Sequence, residues 1–183
     1  MAQFVDIPYV KEFTIIDENV DEKYIRLAIK EAQEIEIRSY LGTGLYDEIN
    51  TQVTANTLTT ANQTLLDSYV IPALLKWVVV RVSPWLTYKF TNKNVVRKNS
   101  DNSSNIDYNE LDRVMEQLRN DAEYYTERLV RFLCENDSDY PLYNNPGSGI
   151  DTIWPRSDAF TCSIYLGKGK SIWDKTDKNW PKE

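Results

Sequence analysis

Apolar residues recur every three or four positions between residues 111 and 133, and this spacing constrains the fold more than any other feature of the 183-residue chain. The repeating positions are Leu111, Val114, Met115, Leu118, Ala122, Tyr125, Leu129, Phe132 and Leu133. Because an α-helix has 3.6 residues per turn, these side chains share one face. The segment therefore predicts a long amphipathic helix, with Asp107 and Glu110 at capping-box spacing at its start and a turn at residues 136–139 after its end.

A second long helix is predicted over residues 20–41. Its acidic start suits the positive end of the helix dipole, and Gly42 is expected to end it as a left-handed cap would. One apolar stripe comprises Ile25, Ala28, Ile29, Ala32 and Ile35. Three further apolar residues fall nearly opposite that stripe, namely Leu27, Ile37 and Leu41. Two interpretations stay open: a wide buried face, or a helix that contacts its own core on one side and a neighbouring subunit on the other.

The most apolar segment, residues 60–92, predicts the central helix of the core. It follows polar residues near Thr59, which are typical of helix starts. Pro72 and Pro84 each lack a backbone donor and are expected to kink or split this helix. The valines at 78–80 also fit a buried strand, but the spacing they share with residues 65–74 favours a helix. A shorter amphipathic helix is predicted at residues 45–53.

Residues 140–183 differ from the rest because they combine proline and glycine with aromatic rings. They contain four of the seven prolines and three of the five tryptophans, and only residues 160–166 have the pattern of a strand. Isolated rings need pockets, either on the chain's own bundle or on another chain, and we favour another chain. The candidate partner-binding residues are Trp154, Phe160, Tyr165, Trp173 and Trp180.

The predicted fold class is therefore mainly α. A bundle of three long helices plus short ones forms a domain over residues 1–139. An extended C-terminal arm, with room for a short β-strand or hairpin, follows over residues 140–183.

Composition narrows the possible functions. The net charge is −7, and histidine does not occur in the sequence. An acidic chain lacks the basic face with which proteins wrap nucleic acid, and without histidine the usual general base and the commonest metal ligand are missing. The two cysteines fit reduced thiols, and Cys134 is expected to be a buried structural thiol. We therefore predict a soluble protein that is not an enzyme and needs no metal or cofactor.

Residues 92–105 form a polar segment whose local charge is opposite to that of the whole chain. Lys93, Arg97 and Lys98 either belong to a solvated connection or contact phosphate or the acidic face of a partner. Phosphate contact would support an alternative function, a small helical regulator that binds nucleic acid.

The order of these elements resembles the head–tail connector, or adaptor, proteins of tailed bacteriophages. The matching stretches are DENVDEKYIRLAIKEAQEIEIRSYLGTGLYDEI, LLDSYVIPALLKWVVVRVSPWLTYKFTNK and IDYNELDRVMEQLRNDAEYYTERLVRFL, which together cover about residues 15–135. The wording of YLGTGLYDEI and VIPALLKW is most like proteins of crAss-like and other Bacteroides phages.

This resemblance implies a helical adaptor fold assembled as a ring, usually of twelve subunits, beneath the portal protein. Such a ring extends the DNA channel, completes the filled head and carries the tail. The implied partners are other copies of the chain, the portal protein, further tail or ring proteins, and DNA that passes through the channel without specific binding. No membrane is implied. The implied location is the head–tail junction of the virion, after assembly in the host cytoplasm.

Overall fold

A computed structural model describes residues 2–90, 95–97 and 108–156, and it is mainly α-helical, as predicted. The elements in chain order are α1 (Ile7–Phe13), α2 (Glu22–Glu31), a π-helical segment (Ala32–Ile37), α3 (Arg38–Ala55), α4 (Thr60–Leu65), a second π-helical segment (Leu66–Val70), α5 (Ile71–Thr87), β1 (Tyr88–Phe90), β2 (Val95–Arg97), α6 (Tyr108–Glu135) and α7 (Pro141–Asn144). Within these ranges no helix combines the length and apolarity needed to cross a bilayer.

The second predicted helix exists, but a π-helical segment changes which side chains it buries. The α-helical stripe is buried as expected as far as Ala32. The π-helical turn then adds a residue, which rotates every later side chain by about 100°. Ile37 and Leu41 are therefore fully buried, whereas Ile35 is 51% exposed. The prediction that Ile35 belongs to the core stripe was wrong, and of the residues placed opposite the stripe only Leu27 is exposed.

Gly42 interrupts the helix where the sequence predicted. Its φ of 74° and ψ of 162° lie outside the helical region, and the helical hydrogen bonding resumes beyond it to Ala55. Asn56, with φ of 53°, closes that helix in the left-handed conformation. Glycine suits position 42 because it adopts positive φ without steric cost.

The central helix begins as predicted, because Thr59 caps it by accepting a hydrogen bond from the Asn62 backbone N–H at 3.3 Å. It is a helix throughout residues 77–82, not a strand. Pro72 lies inside a continuous helical run, because Val70 and Ile71 before it are helical. The π-helical segment lies immediately before α5, so the missing donor of Pro72 coincides with a change of helix type and not with a break. Pro84 lies within the last turns.

The central helix ends at Thr87, so the predicted end near residue 92 was wrong. Tyr88 is extended, and β1 pairs antiparallel with β2 in the register Tyr88 to Arg97 and Phe90 to Val95. These short runs hold aromatic and β-branched residues, which favour extended backbone. Part of the predicted polar connection is therefore a hairpin strand. Residues 91–94 and 98–107, including the predicted cap Asp107, lie outside the described residues.

Helix α6 packs along α5 and completes the core. Its predicted apolar face is confirmed at Ala122, Leu129 and Leu133, which are fully buried, while Val114 at its open end is exposed. Across this contact the indole N–H of Trp77 donates to the Thr126 hydroxyl at 2.9 Å, and that hydroxyl donates to the Ala122 carbonyl at 2.8 Å. The buried indole N–H and the buried hydroxyl at this helix contact therefore both have hydrogen-bond partners within the protein.

The N-terminal segment is tied to the bundle by Gln33. Its amide oxygen accepts from the Phe4 backbone N–H at 3.0 Å, and its amide nitrogen donates to the Ala2 carbonyl at 2.8 Å. Phe4, Val5 and Val10 are buried. These contacts hold α1 against the bundle, where it forms one wall of the groove described below.

Candidate protein-interaction surfaces

The first part of the predicted C-terminal arm packs on its own bundle. We call residues 140–156 the strap. Tyr140, which precedes α7, and Tyr143, within α7, are buried in the core, and the Tyr140 hydroxyl donates to the Ala61 carbonyl at 2.9 Å. Burial raises the pKa of Tyr143 to about 12, with the neighbouring Cys134 thiol adding to the effect. The start of the strap is therefore held by two rings in the core and a hydrogen bond to Ala61.

The far end of the strap is seated on the helix break at Gly42. The Thr43 backbone N–H donates to the Ile153 carbonyl at 3.0 Å, and the Ile153 N–H donates to the Thr43 hydroxyl at 2.9 Å. The Arg156 N–H donates to the Ser39 carbonyl at 3.0 Å. These bonds use backbone groups that the break at Gly42 leaves free of the helix.

Both glycines of the Gly-Thr-Gly sequence are needed for close approach of the strap. A Cβ at Gly42 would lie 2.7 Å from Pro155 Cγ, and a Cβ at Gly44 would lie 2.9 Å from Pro146 Cα. From the sequence alone, residues 42–44 were interpreted as the loop between two predicted helices, with Gly42 as the end of the first. The sequence signal for this contact is a pair of glycines in one segment and a pair of prolines in a distant segment. That signal can be interpreted only when the two segments are known to lie next to each other.

Three apolar side chains project from the seated end of the strap. We call residues 150–154 the apolar loop: Ile150 is fully exposed, Trp154 is 64% exposed and Ile153 is partly exposed. Trp154 was predicted to bind a partner, and its own chain's described residues leave most of the indole uncovered. Apolar groups exposed together in this way mark interaction sites.

An apolar groove lies between α1, the start of α5 and the middle of α6. We call it the α1 groove; its volume is about 480 Å³. Its apolar lining includes Ile71, Pro72, Leu75, Val79 and Leu118. At its rim the rings of Tyr9 and Phe13 lie 4.4 Å apart, Phe13 is 57% exposed and Ile15 is 79% exposed. Asp67, Asp121 and Lys76 also line it.

A second groove, with a volume of about 630 Å³, lies on the other side of α5. We call it the arginine groove, because Arg81, Arg119 and Arg156 line it together with Trp85 and Met115. The Arg81 guanidinium pairs with Glu36, whose carboxylate is mostly buried. One arginine is therefore engaged within the fold, and Arg156 lies over the Tyr40 ring at 5.6 Å.

The two grooves use opposite faces of α5. The α1 groove is lined by Ile71, Pro72, Leu75, Lys76 and Val79. The arginine groove is lined by Trp77, Val80, Arg81, Pro84 and Trp85. At about 100° of rotation per residue, the centres of these two sets lie on opposite sides of the helix. The strap ends beside the arginine groove at Arg156, so it reaches the bundle on the side away from the α1 groove.

Most of the other predicted interaction residues lie outside the described residues: Phe160, Tyr165, Trp173, Trp180, Lys93 and Lys98. Arg97 is in β2, paired with Tyr88 on β1. The predictions for these residues stay predictions.

The prediction for Cys134 was wrong, because its side chain is exposed. Leu133 belongs to the apolar face of α6, and the next residue is rotated by about 100° away from it. Among the described residues, no group of three or more acidic, cysteine or histidine side chains could hold a metal ion.

Comparison with known proteins identifies a family. Residues 37–153, nearly two thirds of the chain, match the family of unknown function DUF6712, and the chain belongs to that family. The matched region begins at the end of the first π-helical segment and ends at Ile153, so it includes the Gly42 break and most of the strap. No curated protein matches the chain, and no solved structure matches it.

Proposed function

We propose that this member of the DUF6712 family is a structural protein of tailed-phage virions, a subunit of the ring that joins the portal to the tail, extends the DNA channel and completes the head. The observation that carries the proposal is the strap. It is fixed to the bundle at both ends and leads the chain to one defined point, Arg156, beside the exposed Trp154.

Because Arg156 has a fixed position on the bundle, the residues that follow it start from a defined place, which is useful if they recruit a partner. The 27 residues after Arg156 contain Phe160, Tyr165, Trp173 and Trp180. At about 3.3–3.6 Å per residue, a segment of this length could span at most about 90–100 Å, enough to reach a neighbouring protein. The strap limits the search, because residues 140–156 already have a fixed position on the bundle before the partner binds. We assign these residues to the portal contact.

The charge of the chain suits a channel protein. The net charge is −7, and the exposed positions of α6 include Glu110, Asp112 and Glu116. DNA that must slide through a ring should not be held by its phosphates, and a negative wall repels them. The ring is therefore expected to contain DNA without binding it specifically.

The test is assembly with the portal. The full-length chain and a chain ended after Arg156 are each incubated with the purified portal protein, and the products are imaged by electron microscopy. We expect the full-length chain to form a ring on the portal. We expect the shortened chain to keep its helical circular dichroism and lose the portal contact. A shortened chain that binds the portal equally well, or virions that lack the protein by mass spectrometry, would contradict the proposal.

The nucleic-acid alternative is supported by the β1–β2 hairpin, because Arg97 is in it and Lys93 lies between its strands in sequence. Salt-dependent retention of the full-length chain on immobilised DNA, lost in the Lys93→Ala, Arg97→Ala and Lys98→Ala triple variant, would favour this alternative. Ring formation on the portal with no retention at physiological salt would exclude it.

A further inference from the structure

We propose that the apolar loop of one copy of this chain docks into the α1 groove of a second copy. The inference rests on the proposed function, because it names the contact by which subunits of the ring would hold one another. All the residues involved are described by the structure. The groove comprises residues from 9–15, 67–79 and 118–125, and the docking segment comprises residues 150–156.

The two surfaces account for most of the exposed large apolar side chains in the described parts of the chain. Ten such residues are exposed, and six of them belong to these two surfaces: Tyr9, Phe13, Ile15, Ile150, Ile153 and Trp154. One surface is concave and the other projects. Pairing them removes both from water, which is the main driving force for association. At about 480 Å³ the groove has the size of pockets that take bulky apolar groups.

The fold prevents a chain from filling its own α1 groove with its own apolar loop. Hydrogen bonds from Ile153 to Thr43 and from Arg156 to Ser39 hold the loop on α3. The strap ends beside the face of α5 opposite to the one that lines the groove. The loop and the groove therefore lie on different sides of the subunit. A contact between two different surfaces repeats from subunit to subunit and closes into a ring when the rotation allows.

The loop is also held in place before it binds. The two hydrogen bonds between Thr43 and Ile153, and the close seat of Pro155 on Gly42, fix the backbone on both sides of Trp154. Less conformational entropy is lost on docking when the projecting group is already held in place. The match between the two surfaces is apolar, because Lys76 in the groove is paired with Asp121 at 3.9 Å and Arg156 lies over the Tyr40 ring of its own chain.

The test uses two variants that each remove one half of the contact. Trp154→Asp damages the loop and leaves the groove intact, and Phe13→Asp damages the rim of the groove and leaves the loop intact. Both side chains are more than half exposed, so both variants are expected to keep wild-type circular dichroism and thermal unfolding. Tyr124→Asp, at an exposed aromatic residue of α6 that belongs to neither surface, is the matched control.

Self-association of full-length chains is measured by analytical ultracentrifugation and native mass spectrometry. We expect each variant alone to associate at least about thirtyfold more weakly than wild type, as for loss of an aromatic anchor at the centre of an interface. An equimolar mixture is expected to form a one-to-one heterodimer, because one intact groove and one intact loop remain. The Tyr124→Asp chain is expected to associate like wild type.

A photo-crosslinking residue at position 154 identifies the occupant directly. In a mixture of isotopically light and heavy chains with the purified portal protein, we expect light–heavy crosslinks from position 154 to residues 9–15 or 67–79. Crosslinks only within one chain, crosslinks to the portal protein instead, no intermolecular crosslink at all, or a variant mixture that stays monomeric while wild type associates would each overturn the inference.

These outcomes separate the two proposals. If the heterodimer forms and the protein is absent from virions, the contact stands and the connector function fails. If rings form on the portal and both variants still assemble into them, the connector function stands and the contact fails.

Discussion

Thr43 and Ile153 exchange two hydrogen bonds across 110 residues of sequence, one at 3.0 Å from the Thr43 N–H and one at 2.9 Å to the Thr43 hydroxyl. Thr43 lies just after the helix break at Gly42, where the backbone groups are not used by the helix. Ile153 lies between two exposed apolar residues. The helix break at Gly42 therefore supplies the hydrogen bonds that hold the apolar loop, the surface that we propose for subunit contact, in its orientation.

Gly42→Ala tests whether the break is a seat for the strap. A Cβ at this position would lie 2.7 Å from Pro155, and the residue has φ of 74°. We expect the free energy of unfolding to fall by about 1–3 kcal/mol, from backbone strain together with overpacking. For a chain of this size each kcal/mol lowers the midpoint temperature by about 2–4 °C. Thermal and urea unfolding measure the change.

Gly147→Ala is the matched control for this substitution. Gly147 also has positive φ, at 103°, but nothing lies within 4 Å of the Cβ it would gain. The difference between the two variants therefore isolates the contact with Pro155. Equal destabilisation by both would mean that backbone conformation alone accounts for the effect and that the seat contributes nothing.

Tyr140→Phe tests the anchor at the start of the strap. The Tyr140 hydroxyl donates to the Ala61 carbonyl at 2.9 Å, and the ring is buried. We expect the loss of this hydrogen bond to cost about 1 kcal/mol in the free energy of unfolding. Tyr140→Ala, which also removes the ring, is expected to cost about 3–5 kcal/mol. Urea unfolding of both variants measures the two contributions separately.

Truncation on either side of the strap tests how much the strap stabilises the fold. A chain ended after Asp139 loses the buried Tyr140 and Tyr143 and is expected to unfold at a lower temperature than a chain ended after Arg156. If both truncated chains unfold like the full-length protein, the strap is not part of the folded body.

The helices were predictable from the sequence because their signals are local. The three-and-four spacing of α6, the cap at Thr59 and the break at Gly42 each depend on residues a few positions apart. The first π-helical segment was not predictable in this way. The sequence carries no local signal for its extra residue, and after that residue Ile37 is buried while Ile35 is exposed.

The candidate site depends on contacts that the sequence does not encode locally. Trp154 was predicted because an isolated indole needs a pocket, and that argument holds for any fold. The α1 groove was not predicted, since it requires Phe13, Leu75 and Leu118 to come together from three distant segments.

The Trp77–Thr126 hydrogen bond predicts a specific order of stability among variants. Thr126→Val leaves the buried indole N–H without an acceptor and is expected to cost about 1–3 kcal/mol. Thr126→Ser keeps the hydroxyl and is expected to cost less. Adding Trp77→Phe to Thr126→Val removes the unpaired donor, so the double variant should lose less than the sum of the two single changes. Denaturant unfolding of wild type, Thr126→Val, Trp77→Phe and the double variant completes this double-mutant cycle. Strictly additive losses of stability would contradict the coupling between the two side chains.

Two buried tyrosines predict that stability falls at alkaline pH. Burial is the main cause that raises the pKa of Tyr46 and of Tyr143 from 10 to about 12. Between these values the unfolded chain loses the tyrosine protons while the folded chain keeps them. The folded state then binds more protons than the unfolded state. The stability that comes from these two protonated tyrosines is therefore complete below pH 10 and is lost as the pH rises from 10 to 12.

The measurement is the free energy of unfolding in urea at a series of pH values between 9 and about 12. Other groups titrate in this range, so the informative quantity is the difference between each variant and wild type. We expect Tyr46→Phe and Tyr143→Phe each to make the decline shallower, and the double variant to make it shallower still, because phenylalanine has no proton to lose. Variants that decline as steeply as wild type would mean that neither tyrosine keeps its proton in the folded chain, and that burial of these two rings does not limit alkaline stability.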